Sequence, residues 1–133
     1  MANTLQQKYV RGELLNANCP SRDMLKRVTS RWSVLVLLAL KQDTLRFSEL
    51  RRKIGGVSER MLAQTLRHME QDGFIQRKAY DVVPPHVEYW LTPLGHEAER
   101  KVIGLADWLE ENVSVIQQHR DNFSREYGVP EQD

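Results

Sequence analysis

Residues 57–89 carry three signals in succession: a capped helical pattern, a glycine, and two short strand patterns. Ser58 opens the helical pattern, where its hydroxyl can accept a hydrogen bond from a free backbone N–H of the first turn. Gly73 follows the pattern, where a residue with left-handed backbone angles commonly closes a helix. The stretch therefore predicts an amphipathic helix followed by a β-hairpin. The apolar positions of the helix are spaced by four and three residues and share one face: Leu62, Leu66 and Met69.

The hairpin is predicted from alternating residues around a proline-containing tip. Residues 74–80 form the first predicted strand, residues 81–85 the connection, and His86–Leu91 the returning strand. Pro84 and Pro85 stiffen the connection because the proline ring fixes φ.

A second helix is predicted just before this stretch. Ser48 is its expected N-cap, and Gly55 with Gly56 ends it in a sharp reversal at left-handed backbone angles. The order helix, short glycine turn, helix is the helix-turn-helix signature. Residues 45–47 are short and extended and are expected to pair with the hairpin. Together these elements predict a winged helix-turn-helix, mainly α with a small β-hairpin.

The predicted domain covers residues 19–113. We expect a flexible N-terminal arm over residues 1–18, helical around residues 5–15, and a polar C-terminal tail over residues 114–133 that is either a further helical piece or disordered. Ser21 is the expected N-cap of a short helix over residues 22–28.

Two further helices complete the predicted fold. Residues 32–41 (WSVLVLLALK) predict a buried helix, since the run is long for a strand and lacks glycine and proline. Thr92 and Pro93 are typical of a helix start, with Thr as N-cap and Pro in the first turn, and the helix is expected to end near Val113.

Charge is unevenly distributed along the 133 residues. The net charge is +4 over residues 1–45, +4 over 46–80, −2 over 81–96 and −5 over 97–133. The basic part, which contains the helix-turn-helix and the first strand of the wing, is suited to phosphate, although uneven solvated charge is the alternative. The N-terminus lacks the apolar segment of a signal peptide, and the longest apolar run is too short to span a bilayer. We therefore expect a cytoplasmic protein with no membrane partner.

The second helix of the helix-turn-helix predicts double-stranded DNA as the partner. Arg and Gln can make bidentate contacts to guanine and adenine edges in the major groove, which admits one helix. Arg60, Gln64, Arg67 and His68 are the expected reading residues, and Met61 and Thr65 are expected to flank them. The alternative for the same side chains is a solvated helix face.

Phosphate and wing contacts complete the predicted interface. Backbone N–H groups at a helix start, together with a serine hydroxyl, suit a phosphate oxygen. Residues before and along the first helix, and residues of the hairpin, are the remaining candidates. The full predicted set is Arg46, Ser48, Arg52, Ser58, Arg60, Met61, Gln64, Thr65, Arg67, His68, Lys78, Tyr80 and His86.

The helix after Thr92 carries an apolar stripe, which forms either the intrachain core, a dimer contact, or both. A DNA-binding domain with one recognition helix gains affinity and half-site spacing by dimerising. Residues 94–109, with Trp108 and the N-terminal helix, are therefore the predicted homodimer contact.

Cys19 is the only cysteine, so it cannot form an intrachain disulfide. It lies just before a helix start and close to basic residues, which favours a reactive thiol that senses oxidants or electrophiles; an inert cysteine is the alternative. The four histidines show no metal-ligand spacing, and no phosphate loop or nucleophile elbow is present. The sequence thus predicts no enzyme, no metal and no cofactor.

The combined motifs resemble the HxlR-type transcriptional regulators, relatives of the MarR group. The similarity extends over roughly residues 19–109, and in place of the Gly-Gly-Lys that often precedes the Trp this chain has TSR. The resemblance implies a homodimer that binds palindromic promoter DNA, with its dimer contact near residues 22–28 and 93–112. It also implies that Cys19 matches the N-terminal cysteine through which several members sense aldehydes, quinones or oxidants. The segments that carry the resemblance are CPSRDMLKRVTSRWSVLVLLAL, RFSELRRKIGGVSERMLAQTLRHMEQDGFIQRKAY and VPPHVEYWLTPLG.

Two other functions fit the same residues. One is a winged-helix module that binds protein and has no DNA affinity. The other is a regulator that responds to a small-molecule effector held between dimer helices near Trp32 and Trp108.

Overall fold

The computed structural model describes residues 14–128, and most of the predicted N-terminal arm lies outside them. The described residues contain five helices and one three-stranded sheet, which confirms the predicted mainly helical winged helix-turn-helix. The chain divides into two compact units, with the boundary between Glu99 and Arg100. The elements are α1 (Pro20–Val28), α2 (Arg31–Ala39), β1 (Leu45–Arg46), α3 (Phe47–Lys53), α4 (Glu59–Gln71), β2 (Ile75–Tyr80), β3 (His86–Leu91) and α5 (Pro93–Tyr127).

The core of the first unit forms where α2, α3 and α4 meet the sheet. Its largest fully buried aliphatic side chains come from all four of these elements. Complete burial of one such side chain contributes roughly 1.5–3 kcal/mol to folding. Burial of the apolar face of α4 therefore determines which face of this helix remains exposed to solvent. These side chains are Leu37, Leu40, Leu50, Leu62, Leu66 and Ile75.

The sheet has the strand order β1-β3-β2, and all pairs are antiparallel. Leu45 lies opposite Tyr89 and Arg46 opposite Glu88, so the short extended segment pairs with the hairpin as predicted. Ile75 lies opposite Leu91, and both side chains are buried.

The turn between α3 and α4 uses one left-handed residue rather than two. Gly56 has φ +86°, whereas Gly55 has no positive φ. The prediction of left-handed angles at both glycines was therefore wrong for Gly55. A single residue with left-handed angles is enough here because the chain already leaves the helix at Ile54, which is extended.

The caps of α4 and α3 differ in how well they were predicted. Ser58 caps α4 as expected, since its Oγ accepts the Met61 N–H at 3.0 Å. Ser48 is not the N-cap of α3: the helix begins at Phe47 after Arg46, whose N–H donates to the Glu49 carboxylate at 2.8 Å. Because the helix begins one residue before Ser48, this serine lies inside the first turn, where it is exposed.

The first two helices are joined by a short turn at Thr29 and Ser30. α1 begins at Pro20 after Cys19, so the prediction of Ser21 as its cap was wrong; proline favours the first helical turn. Ser30 caps α2, and its Oγ accepts the Ser33 N–H at 3.4 Å.

α4, the hairpin and α5 are tied together at their ends. Gly73 has φ +85°, and the next N–H, from Phe74, donates to the Met69 carbonyl at 2.9 Å, which closes α4 as predicted. The Thr92 hydroxyl donates to the Gly73 carbonyl at 2.6 Å and accepts the Gly95 N–H at 3.0 Å. Thr92 therefore caps α5 and holds the end of α4 at the same time.

α5 continues to Tyr127, well beyond the predicted end near Val113. The polar residues after 113 sustain it through side-chain pairs one turn apart: Gln117 Nε2 donates to Asp121 Oδ1 at 3.1 Å, and Gln118 Nε2 to Asn122 Oδ1 at 3.0 Å. None of the helices in the described part of the chain is both long and apolar enough to cross a membrane.

Candidate nucleic-acid interface

The outer face of α4 presents a row of polar side chains. Arg60, Gln64 and Arg67 are exposed, as the sequence predicts, and Gln71 extends the row by one turn. The row lies opposite the buried residues of the same helix, because positions 60, 64, 67 and 71 repeat with helical spacing. Gln71 was missed by the sequence analysis, although the same spacing would have identified it.

Three other predicted positions on α4 do not belong to this row. Thr65 is only 6% exposed, and its hydroxyl donates to the Met61 carbonyl at 2.8 Å, so its expected place beside the reading residues was wrong. His68 is half-buried and lines a small cavity with Arg27 and Asp72, on the side of the helix that meets α1. Met61 remains exposed on the edge of the polar face.

The start of α4 and the side of α3 enclose an open depression of about 670 Å³. Three of the predicted phosphate-contact residues line it together: Ser48, Arg52 and Ser58. Arg51 is also present, but its Nε donates to the Val57 carbonyl at 3.4 Å, which directs one of its donors inward. The depression therefore combines hydroxyls and cations at the place where a duplex backbone would pass beside a helix in the major groove.

The wing has two different faces, because alternate side chains of a strand point to opposite sides. Arg77 lies opposite Tyr89, whose ring belongs to the core face of the sheet. Arg77 also lines a depression of about 290 Å³ with Arg67 and Glu70 of α4. The predicted set omitted Arg77, although the two-residue period of the strand would have placed it on the same side as Ile75.

The predicted wing residues lie on the other face, around a carboxylate. Glu88 lies opposite Arg46 on one side and Lys78 on the other, so two of the predicted cations flank it. The Tyr80 and His86 rings stack with centroids 4.6 Å apart, and Lys78 Nζ lies 5.0 Å from the Tyr80 ring centroid. On this face one carboxylate thus offsets part of the charge of two cations, whereas the α4 side of the wing carries Arg77.

Glu88 also favours the neutral form of Tyr80. Its hydrogen bond with the Tyr80 hydroxyl raises the pKa of Tyr80 above the ordinary value of 10.0, with smaller contributions from desolvation and from the carboxylate charge. His86 Nε2 lies 3.6 Å from the Glu88 carboxylate. The phenol therefore stays neutral through the physiological range and can donate or accept a hydrogen bond.

Cys19 occupies the N-cap position of α1. Its carbonyl accepts the Arg22 N–H at 3.0 Å, its side chain makes no capping hydrogen bond, and the residue is half-buried. The thiol lies in the segment that leads into α1.

Large apolar side chains are exposed on the first and last helices. On α1 these are Met24 and Leu25. On α5 the exposed residues after 99 share one side of the helix, within an arc of about 160° at 100° per residue. They are Leu105, Trp108, Leu109, Val113, Val115, Phe123 and Tyr127.

A family model described as HxlR-like helix-turn-helix matches residues 27–117. The uncharacterized HTH-type transcriptional regulator YtfH of Escherichia coli (strain K12) is 59% identical over 118 residues, which cover 89% of this chain and 94% of that protein. An HTH-type transcriptional regulator of Methanothermobacter thermautotrophicus is 39% identical over 104 residues, covering 78% of this chain and 76% of that protein.

Solved structures show the same fold. The YtfH protein from Salmonella typhimurium has a TM-score of 0.78 and 59% identity, and the match covers 81% of this chain and 96% of that chain. The redox regulator HypR in its reduced form has a TM-score of 0.68 and 33% identity, with 74% of this chain and 98% of that chain covered.

Proposed function

Because the chain belongs to the HxlR-like helix-turn-helix family, we propose that this transcriptional regulator acts by placing the outer face of α4 in the major groove of duplex DNA. The observation that carries the proposal is the row formed by Arg60, Gln64, Arg67 and Gln71. These side chains are exposed on a helix whose opposite face is buried, so the row is presented in a fixed orientation. One major groove accommodates one such helix.

The side chains around the row divide into two roles. Arg60 and Gln64 lie in the first turns of α4 and are assigned to base edges, where each bidentate pair discriminates by about 1–3 kcal/mol. Ser48, Arg52 and Ser58 are assigned to phosphate because they line one depression beside the row. Phosphate contacts fix position and carry no direct sequence information.

Arg77 joins the phosphate set, while Thr65 and His68 are no longer assigned to the row that reads bases. It lies on the wing face that meets α4, beside Arg67. Glu70 at the same depression limits the local positive charge, and its carboxylate can orient either guanidinium. Arg46, Lys78, Tyr80 and His86 remain candidates for contacts from the outer face of the wing, where Glu88 offsets part of the positive charge.

The protein acts as a homodimer in this proposal. Exposed apolar side chains on α1 and on one side of α5 form surfaces that a soluble monomer rarely leaves uncovered. A second copy brings a second recognition helix, so the target is a DNA site of two symmetric half-sites. Sedimentation at micromolar concentration tests the assembly, and a monomer throughout would contradict it.

The DNA proposal is tested with duplexes selected from a randomised pool by the parent protein. Arg60→Ala with Gln64→Ala should reduce the preference for the selected duplex over a scrambled one by at least roughly 30-fold, since it removes two base contacts of about 1–3 kcal/mol each. Arg31→Ala is the control, because it also removes an exposed cation but lies at the start of α2, outside the predicted DNA-binding and dimer-contact residues. An equal preference in parent and double variant would contradict base reading by α4.

Absence of duplex binding, together with protein partners that survive nuclease treatment, would instead support a protein-binding winged-helix module.

A redox response is the second candidate function. HypR, 33% identical, is described as a redox regulator, and Cys19 lies half-buried at the start of α1. Since Cys19 is the only thiol, its oxidation would join it to a small thiol or to Cys19 of a second copy. Affinity for the selected duplex is measured before and after diamide treatment in the parent and in Cys19→Ser; equal responses would remove the cysteine from the response.

A further inference from the structure

α1 is attached to the rest of its unit without burying a single residue. Met24 and Leu25 are 61% and 45% exposed, so apolar packing does little to fix this helix. Its last turn is held instead by Arg27, whose Nη1 donates to Asp72 Oδ1 at 3.1 Å. Within residues 14–128 this is the one side-chain hydrogen bond that joins α1 to α4.

Asp72 is the C-cap of α4, which is an unfavourable place for a carboxylate because the helix C-terminus carries partial negative charge. Arg27 offsets that charge. Its guanidinium also lies 3.6 Å from Asp23 Oδ2, one turn earlier on α1, and is therefore held between two carboxylates. The Arg27 and Asp72 side chains are 33% and 25% exposed, so solvent screens this pair less than a pair on the open surface.

The position of Asp72 matters for the polar row. Asp72 follows Arg60 by twelve residues, which is about 18 Å along a helix. Because the Thr92 hydroxyl bonded to Gly73 and the buried face of the helix also hold α4, a change at the Asp72 end alters the orientation of α1 relative to α4 and so relative to the row.

We propose that the Arg27–Asp72 pair is a positioning contact that couples α1 to the recognition helix. In the dimer of the proposed function, on which this inference rests, α1 belongs to the contact between the copies. The pair then sets the orientation of each recognition helix relative to that contact, and so the half-site spacing that the protein accepts. Neither residue touches DNA.

The test uses the selected duplex with its two half-sites moved apart or together one base pair at a time. The parent should prefer one spacing. Asp72→Asn and Arg27→Gln should each reduce the ratio between the best and the neighbouring spacings by roughly five- to tenfold, and change binding to a single half-site by less than about twofold. Arg27→Lys keeps the charge and should retain part of the preference.

Asp43→Asn is the matched control, because it removes an ion pair of the same 3.1 Å length, to Lys53, that does not involve α1 or α4. Asn is well tolerated at helix ends, so Asp72→Asn should remain folded, which circular dichroism checks. An unchanged spacing preference in Asp72→Asn and Arg27→Gln would overturn the inference and leave the proposed function intact. An equal loss in Asp43→Asn would overturn it as well. A parent with no duplex binding would overturn both.

Discussion

Gly95, in the first turn of α5, is predicted to be intolerant of alanine. A Cβ built at this position lies 2.0 Å from the Phe74 carbonyl oxygen and 3.0 Å from its carbon, and both atoms are backbone. Helix propensity alone would favour the change by about 1 kcal/mol, because alanine is the better helix former. The close contact instead predicts that the alanine variant is less stable than the parent.

The size of the expected loss of unfolding free energy follows from the backbone segments that must move apart to admit the alanine Cβ. To bring the 2.0 Å contact to 3.0 Å, the start of α5 and the end of α4 must separate by about 1 Å. That separation strains the Thr92 N–H bond to the Phe74 carbonyl, 3.1 Å long, and the Thr92 hydroxyl bond to Gly73. Overpacking costs about 1–3 kcal/mol and each lost hydrogen bond about 1 kcal/mol. After the propensity gain, we expect Gly95→Ala to lose about 3 kcal/mol of unfolding free energy.

Gly104→Ala is the control within the same helix, because no atom lies within 4 Å of its built Cβ. It should gain about 0.5–1 kcal/mol. Urea unfolding followed by far-ultraviolet circular dichroism, at one protein concentration, measures both variants. A urea midpoint for Gly95→Ala equal to or above that of the parent would refute the close contact between α5 and the end of α4.

Three further predictions follow from single contacts. Ser58→Ala should lower the unfolding free energy by about 1 kcal/mol through loss of the α4 cap, whereas Ser58→Asp should keep it; equal stability of the alanine variant would argue against the cap. Glu99→Gln should stay within about 1 kcal/mol of the parent, since among residues 14–128 the buried carboxylate has only the half-exposed Lys41, 3.8 Å away, as its ionic partner. A large loss of stability in urea unfolding would show that the charge is needed. Glu88→Gln should lower the pKa of Tyr80 toward 10.0 in an ultraviolet absorbance titration against Tyr80→Phe. In the parent, the pKa of Tyr80 is higher in the folded than in the unfolded chain, so the unfolded chain loses this proton first as the pH rises past 10.0. The free energy of unfolding should therefore include a contribution from the neutral phenol below that pH and lose it above. This loss should be smaller in Glu88→Gln.

The helix-turn-helix and the wing could be predicted because their signals are local. Ser58, Gly73 and Thr92 each act through hydrogen bonds or backbone angles within a few residues, and the structure confirms all three roles. The pairing of residues 45 and 46 with the hairpin required only short strand signals in the right order. Such features depend little on how distant parts of the chain pack.

Other features depend on a competing contact that residue type does not reveal. Ser48 resembles a cap, but Glu49 takes that role by accepting from the Arg46 N–H. Thr65 and His68 have polar side chains, yet their angular positions turn them toward the core and toward α1.

In the C-terminal part of α5 and in the wing, too, contacts that residue type does not reveal determine the structure. The polar composition after residue 113 predicted a tail, whereas side-chain pairs such as Gln117 with Asp121 sustain the helix. Arg77 was not predicted, unlike the adjacent Lys78, because only the strand register shows that its side chain lies on the wing face toward α4. The close approach at Gly95 has no sequence signature beyond the glycine itself.

Binding of the parent to the selected duplex across a salt series tests the central claim most directly. If α4 lies in the major groove with cations on the flanking phosphates, the logarithm of the binding constant should fall linearly with the logarithm of salt concentration, with a slope of about −0.9 per phosphate contacted. Arg52→Ala and Arg77→Ala should each reduce the magnitude of that slope by about 0.9, the contribution of one phosphate contact, and leave the sequence preference unchanged. Binding that is independent of salt, or no binding to duplex DNA at low salt, would contradict the claim.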